Sequence, residues 1–200
     1  MGTVAGGVSR LGGRGAPALG AVGACGVVVA MDQRARESWT ADRRSQQILR
    51  VRNARPTAVN LAWGVDRVQP FAEHGRDEVL SHAHQIVVED TAANRKLSEL
   101  GADWILQRTG VSKLRVLTHC NTGALATTGW GTALGVIREL HERGALEVVY
   151  VDETRPLLQG ARLTAWELER EGIEYRVQAD GAAASTILRG LVDFAIIGAD

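Results

Sequence analysis

Apolar positions in the first half of the chain recur at helical spacing, whereas in the second half they gather into short runs separated by helical stretches. Residues 1–13 are Gly-rich without periodicity and read as a frayed or truncated start. Residues 16–31, APALGAVGACGVVVAM, are uncharged, and residues 32–53 are charged and helical, with Trp39, Ile48 and Leu49 as expected buried contacts. In residues 58–68, Val59, Trp63 and the valines at 65 and 68 supply an apolar face. A long amphipathic helix is predicted from about residue 85 to Gln107, with Gly110 marking its end.

After Gly110 the pattern changes. Strands are predicted at 114–118, 147–151, 175–178 and 193–197, and helices at 129–143, 163–171 and 183–190. Such alternation predicts an α/β fold with a parallel sheet and right-handed crossovers. The expected organisation is therefore a mainly helical domain with a bridging helix over 1–110 and a parallel-sheet domain over 111–200.

Composition narrows the function classes. The 23 basic and 23 acidic residues cancel, so nothing supports binding to nucleic acid or an anionic membrane, and a small molecule is the better ligand. The segment 16–31 follows Arg10 and Arg14 like a secretory signal or a short membrane span. It is rich in Gly and Ala, contains Pro17 and falls short of the roughly 20 residues a spanning helix needs, which favours a tightly packed helix in a soluble domain. Cys25 and Cys120 form no CxxC pair, suggesting neither zinc nor a disulfide framework, and a reducing, cytoplasmic compartment fits. His82 and His84 on a helix point about 200° apart, so they serve one metal poorly and read as a solvated face.

The strands end in Thr118-His119-Cys120-Asn121, Asp152-Glu153-Thr154-Arg155, Asp180-Gly181 and Gly198-Ala199-Asp200. In a parallel sheet these ends share one rim, where ligands bind. Cys120 stands between a strand and a Gly-rich turn, with a helix amino terminus expected just beyond it, an arrangement that favours thiolate and anions. Asp200 follows an apolar strand, which favours a protonated carboxyl, so the two form a candidate acid/base pair. A small core cysteine and a helix-capping acid would account for the same residues. His119, adjacent on an extended chain, points away from Cys120 and is a poor base for it. GALATTGWG matches neither a dinucleotide fingerprint nor a Walker loop, so neither NAD nor ATP is expected.

Arg14-Gly15-Ala16-Pro17 and Ala54-Arg55-Pro56-Thr57 each place an arginine before a turn with Pro near a helix start. Both suit an anion, and both suit ordinary surface turns.

The runs THCNTGALATTGWGTALGVIRELHERG and VYVDETRPLLQGARLTAWEL, together with RGAPALG and ARPTAVNL, resemble the methylthioribose-1-phosphate isomerase family of methionine salvage, which is related to regulatory subunits of the translation initiation factor exchange complex. The resemblance runs from Arg14 to Asp200. It implies a small helical domain, a Rossmann-like domain that is incomplete at its carboxyl end, an active site between them and a homodimer. The family's acid/base pair falls on Cys120 and Asp200, and its substrate-binding positions on Arg14, Gly15, Ala16, Arg55 and Gln159. The implied reaction converts 5-methylthio-ribose 1-phosphate into 5-methylthio-ribulose 1-phosphate without a cofactor. Under that resemblance the arginine turns hold phosphate and the Gly-rich turn positions the thiol.

Three features depart from the family. The chain stops at Asp200, where the family continues with an Asn- and Lys-rich segment that contacts substrate, and the usual portion before RGAP is missing. Asp180-Gly181-Ala182-Ala183 replaces a form with Asn or Ser and then Met after the Asp. Two rival readings share the pattern: an isomerase of ribose 1,5-bisphosphate, and a catalytically silent regulatory subunit binding a protein or a sugar phosphate.

Overall fold

The computed structural model describes residue 6 and residues 15–198, which divide into two compact units, 1–90 and 91–200. Gly15 caps helix α1 (Ala16–Glu37), Pro17 lies in its first turn, and Ser38 ends it in a left-handed conformation at φ 52°. Thr40 starts α2 (Ala41–Arg52) by accepting the Arg43 amide at 3.2 Å. The expected helical region 32–53 is thus two helices.

Helix α3 (Val59–Val68) buries Leu61, Gly64, Val65 and Val68, the spacing of one helical stripe. This stripe corrects the expected apolar face. Val59 and Trp63 lie off it, at 76% and 47% exposure, and Leu49 of α2 is 53% exposed beside buried Ile48. Trp63 instead has the Arg67 guanidinium 5.3 Å from its ring.

Helices α1 and α3 approach closely because their facing residues are glycines. A Cβ added to Gly64 would come 1.9 Å from the Gly20 carbonyl oxygen. Among the described residues, α1 is the helix long and apolar enough to cross a membrane, but its Leu19, Ala24, Val27 and Val28 are buried in a core with Leu61, Val65 and Val68. That packing is what the small-residue reading of this segment expects.

A single helix, α4 (Arg76–Thr109), contributes Val79, Ala83 and Ile86 to the core of the first unit and Ala102 and Ile105 to that of the second. It starts earlier than the pattern suggested, and Gly110, at φ +61°, terminates it. His82 stacks on Phe71 with ring centroids 3.5 Å apart, and His84 is exposed.

In the second unit β1 (Leu114–Thr118) is followed by α5 (Ala133–Glu142) and β2 (Leu146–Asp152). A π-helical turn, Gly160–Thr164, leads into α6 (Ala165–Arg170) and β3 (Tyr175–Gln178). A short turn at Asp180–Ala182, α7 (Ala183–Leu188) and β4 (Phe194–Ile196) complete it. The four strands are all parallel, in the order β3-β2-β1-β4. Leu134, Ile137 and Leu140 of α5 pack with Leu114, Val116, Val149 and Leu168. Helix α5 begins at Ala133 rather than the expected 129, because Gly131 takes φ +103°, which no α-helix accommodates.

Strand β4 is pinned to β1 at its start. The Asp193 amide donates to the Arg115 carbonyl at 2.8 Å, and the Asp193 carboxylate accepts from both the amide and the guanidinium of Arg115, each at 2.8 Å.

Candidate active site

The strand order reverses beside β1, since β2 and β3 lie on one side of it and β4 on the other. In open parallel sheets the ligand crevice lies at the carboxyl ends of the strands at this reversal, and Cys120 stands there. Thr118 closes β1 against β4 by donating its hydroxyl to the Ile196 carbonyl at 2.8 Å. Beyond β4, Gly198 sits so close to Thr122 that an added Cβ would lie 2.4 Å from the Thr122 methyl.

Cys120 is half-buried, free of any disulfide, and strained into the left-handed region at φ 62°. Two threonines grip its backbone. Its amide donates to Thr154 Oγ1 at 2.8 Å, and its carbonyl accepts from Thr164 Oγ1 at 2.5 Å. The Gly-rich turn that follows is held from beneath by buried Glu167, which accepts from the Asn121 side chain and the Ala124 amide, each at 2.8 Å, and from Arg138 at 2.6 Å. Since α5 begins only at Ala133, no helix amino terminus lies just beyond Cys120, and the Ala124 amide is already engaged. The anion reading of this turn is corrected accordingly.

The His119 Nδ1 lies 3.2 Å from buried Asp152. Asp152 also accepts from Gln178 Nε2 at 2.9 Å, and Gln178 accepts from Thr186 at 2.7 Å. Asp180 accepts the Thr154 and Arg155 amides, both at 2.8 Å. The Arg155 amide, then the Thr154 amide and the charges of His119 and Arg155, hold the Asp180 carboxyl below the usual carboxylate range. His119, Asp152 and Asp180 bring ligand atoms within 4.8 Å of one another, a spacing that could hold a cation. Hydrogen bonds among these groups and to the Thr154 and Arg155 amides and Gln178 stitch three strand ends together.

Of the substrate-binding positions implied by resemblance, Arg55 and Gln159 carry a physical mark. Among the described residues, Arg55 Nη1 and Gln159 Oε1 are buried with no hydrogen-bond partner, as is Arg44 Nε. Buried polar atoms are nearly always satisfied, so each orphan suits a polar partner of its own, an acceptor for Arg55 in the first unit and a donor for Gln159 in the second. Gln159 immediately precedes the π-helical turn Gly160–Thr164, a feature frequent at functional sites. Gly15 and Ala16 occupy the cap and first position of α1, while Arg14 and Asp200 lie outside the described residues.

Sequence reasoning missed Thr164 and Glu167, which reach the site from the crossover after β2. Thr154 had a visible signal, since it belongs to the polar strand end 152–155.

A helical unit followed by a parallel-sheet unit whose polar groups collect at the strand ends defines an α/β protein of the kind whose ligand crevice lies on the sheet rim. The chain belongs to the initiation factor 2 subunit family, whose model matches residues 13–200. It is 51% identical over 94% of its length to a probable bifunctional methylthioribose-1-phosphate isomerase/methylthioribulose-1-phosphate dehydratase of Nocardia farcinica, covering 34% of that protein. It is 48% identical over 94% of its length to a methylthioribose-1-phosphate isomerase of Alkalilimnicola ehrlichii, covering 54% of it. Among solved structures, a 5-methylthioribose 1-phosphate isomerase from Pyrococcus horikoshii OT3 matches 98% of the chain with TM-score 0.82 and 36% identity, 56% of that protein being covered. The delta subunit of the translation initiation factor eIF-2B from A. fulgidus matches with TM-score 0.81 and 38% identity, covering 98% of this chain and 59% of that one. The chain therefore spans about half the length, or less, of the relatives it matches.

Proposed function

We propose that this chain carries the chemistry of an aldose-ketose isomerase that converts 5-methylthio-ribose 1-phosphate into 5-methylthio-ribulose 1-phosphate. The observation that carries the reading is Cys120, fixed at the sheet's reversal point in a chain whose relatives at 48% identity and above are named for this substrate. The phosphate on C1 keeps the sugar ring closed, so the first step breaks the C1–O4 bond while Asp200 gives a proton to O4. A hydrogen then moves from C2 to C1, and the C2 hydroxyl proton returns to the carboxylate as the C2 carbonyl forms. In the proton route the Cys120 thiolate removes the C2 proton and C1 is protonated in turn; in the hydride route the hydrogen passes directly and Cys120 borders its path. Both routes balance internally, with no cofactor and no redox partner.

Arg14, Gly15, Ala16, Arg55 and Gln159 bind the sugar phosphate in this account. The orphan atoms of Arg55 and Gln159 support their share. The protein would act as a cytoplasmic homodimer. The test is direct: the chain is incubated with 5-methylthio-ribose 1-phosphate, and in parallel with ribose 1,5-bisphosphate, and ketose is followed by NMR. Conversion of the methylthio sugar is the expected result. Preference for the bisphosphate would replace the substrate, and no conversion of either, by this chain or by one extended past Asp200, would refute the enzymatic reading.

A second reading rests on the likeness to the eIF-2B delta subunit, which equals the likeness to the isomerase in fold. A silent regulatory subunit would bind a protein or sugar phosphate without turnover, and the same assay separates the two.

A further inference from the structure

Cys120 and Thr154 are both non-glycine residues in the left-handed region, at φ 62° and 63°, and they are hydrogen-bonded to each other. Such a conformation is unfavourable for a β-branched residue and persists only where the surroundings enforce it. Here the Asp180 carboxylate and the Asp152 carbonyl enforce it. The Asp180 carboxylate takes the Thr154 amide with one oxygen and the Arg155 amide with the other, fixing the turn after β2. The Thr154 hydroxyl donates to the Asp152 carbonyl at 3.0 Å, which commits its proton and leaves a lone pair for the Cys120 amide. The hydroxyl is buried, so water does not compete for it.

We propose that Thr154, held in its strained conformation by Asp180, is a positioning residue that sets the backbone of Cys120 and hence the direction of its thiol. Three strand ends act in series: Asp180 after β3 fixes Thr154 after β2, and Thr154 fixes Cys120 after β1. Thr164 completes the grip from the opposite side by donating to the Cys120 carbonyl. The functional weight of this relay rests on the isomerase reading of Cys120, while the relay itself can be read from the thiol alone.

The experiment measures the rate of Cys120 alkylation by iodoacetamide as a function of pH on the full chain, with Cys25 resolved by peptide mapping, alongside kcat and KM for the sugar phosphate. In Thr154→Val the isosteric side chain lacks the hydroxyl; in Asp180→Ala both amides lose their acceptor. Each should change the alkylation rate of Cys120 by about tenfold or more and lower kcat by a similar factor with little change in KM, as expected when a reacting group is displaced without loss of binding. Thr154→Ser, which keeps the hydroxyl, should stay within about twofold of the wild type on both readouts. Should Thr154→Val fail to fold, Asp180→Asn, which can accept only one of the two amides through its oxygen, gives an intermediate effect. Alkylation of Cys120 unchanged in Thr154→Val, or in Asp180→Asn where the valine variant does not fold, overturns the proposal whatever happens to kcat. A Thr154→Ser variant as impaired as Thr154→Val overturns it too. If the wild type does not isomerise the sugar but alkylation shifts as described, the proposed function fails and the positioning relay stands.

Discussion

Glu167 and Arg138 meet at 2.6 Å beneath the Gly-rich turn, with side chains only 3% and 8% exposed. Fully breaking a buried ion pair costs about 3–5 kcal/mol, but Arg138 also donates to Glu171 at 2.6 Å, so removing Glu167 leaves its charge still paired. Here Glu167 also holds the Asn121 side chain and the Ala124 amide, the residues that carry the chain away from Cys120. Glu167→Ala should therefore lower stability by about 1–3 kcal/mol in urea unfolding, from the donors it leaves unsatisfied. A loss below about 1 kcal/mol would mean that the pair is exchangeable, as surface pairs are.

Gly64 stands where α3 touches the Gly20 carbonyl of α1. Gly64→Ala forces the helices apart, and overpacking of this kind costs about 1–3 kcal/mol, more where the contact is backbone. A fall in thermal midpoint of several degrees is expected. An unchanged midpoint would contradict the close approach of the two helices.

The Arg115 guanidinium, first among the causes, holds the Asp193 carboxyl below its ordinary value. Because the folded pKa is lowered, the contribution of Asp193 to stability is fully present above the unfolded carboxylate pKa of about 4 and is lost as pH falls through the lowered folded value. Asp193→Asn should be less stable than the wild type at neutral pH, and the difference should shrink as pH drops below about 4. Parallel stability curves across that range would contradict the assignment.

Arg55 Nη1 and Gln159 Oε1 have no partner to lose among the described residues. Arg55→Ala and Gln159→Ala should thus weaken sugar-phosphate binding while sparing thermal stability. A hydrogen bond to a charged group is worth about 1.5–3 kcal/mol, so calorimetry should show roughly tenfold to hundredfold weaker binding for Arg55→Ala. Unchanged affinity would remove Arg55 from the binding site.

The parallel sheet was legible because its buried strands are short apolar runs that end in polar residues, as at Leu114–Thr118 and Leu146–Asp152. Placing Cys120 on the rim followed from that pattern alone. Its partners did not: the Thr164 hydroxyl and the Glu167 carboxylate reach Cys120 and Asn121 across 44 and 46 residues of sequence, a distance no local pattern spans. The late start of α5 was hidden in the backbone of Gly131. Leu49, Val59 and Trp63 were expected inside because they are apolar, yet the stripe from Leu61 to Val68 shows that phase along the helix decides burial.

The central claim is that Cys120 handles the hydrogen at C2. Cys120→Ser keeps the size of the side chain and its hydrogen-bonding capacity, but an alcohol does not ionise in the range where a thiol does. Turnover and binding of 5-methylthio-ribose 1-phosphate, measured on the same preparation of the serine variant, test the claim most directly. The account predicts a loss in kcat of about a hundredfold or more with binding retained, the range in which an acid/base group contributes. Wild-type turnover in Cys120→Ser would contradict it.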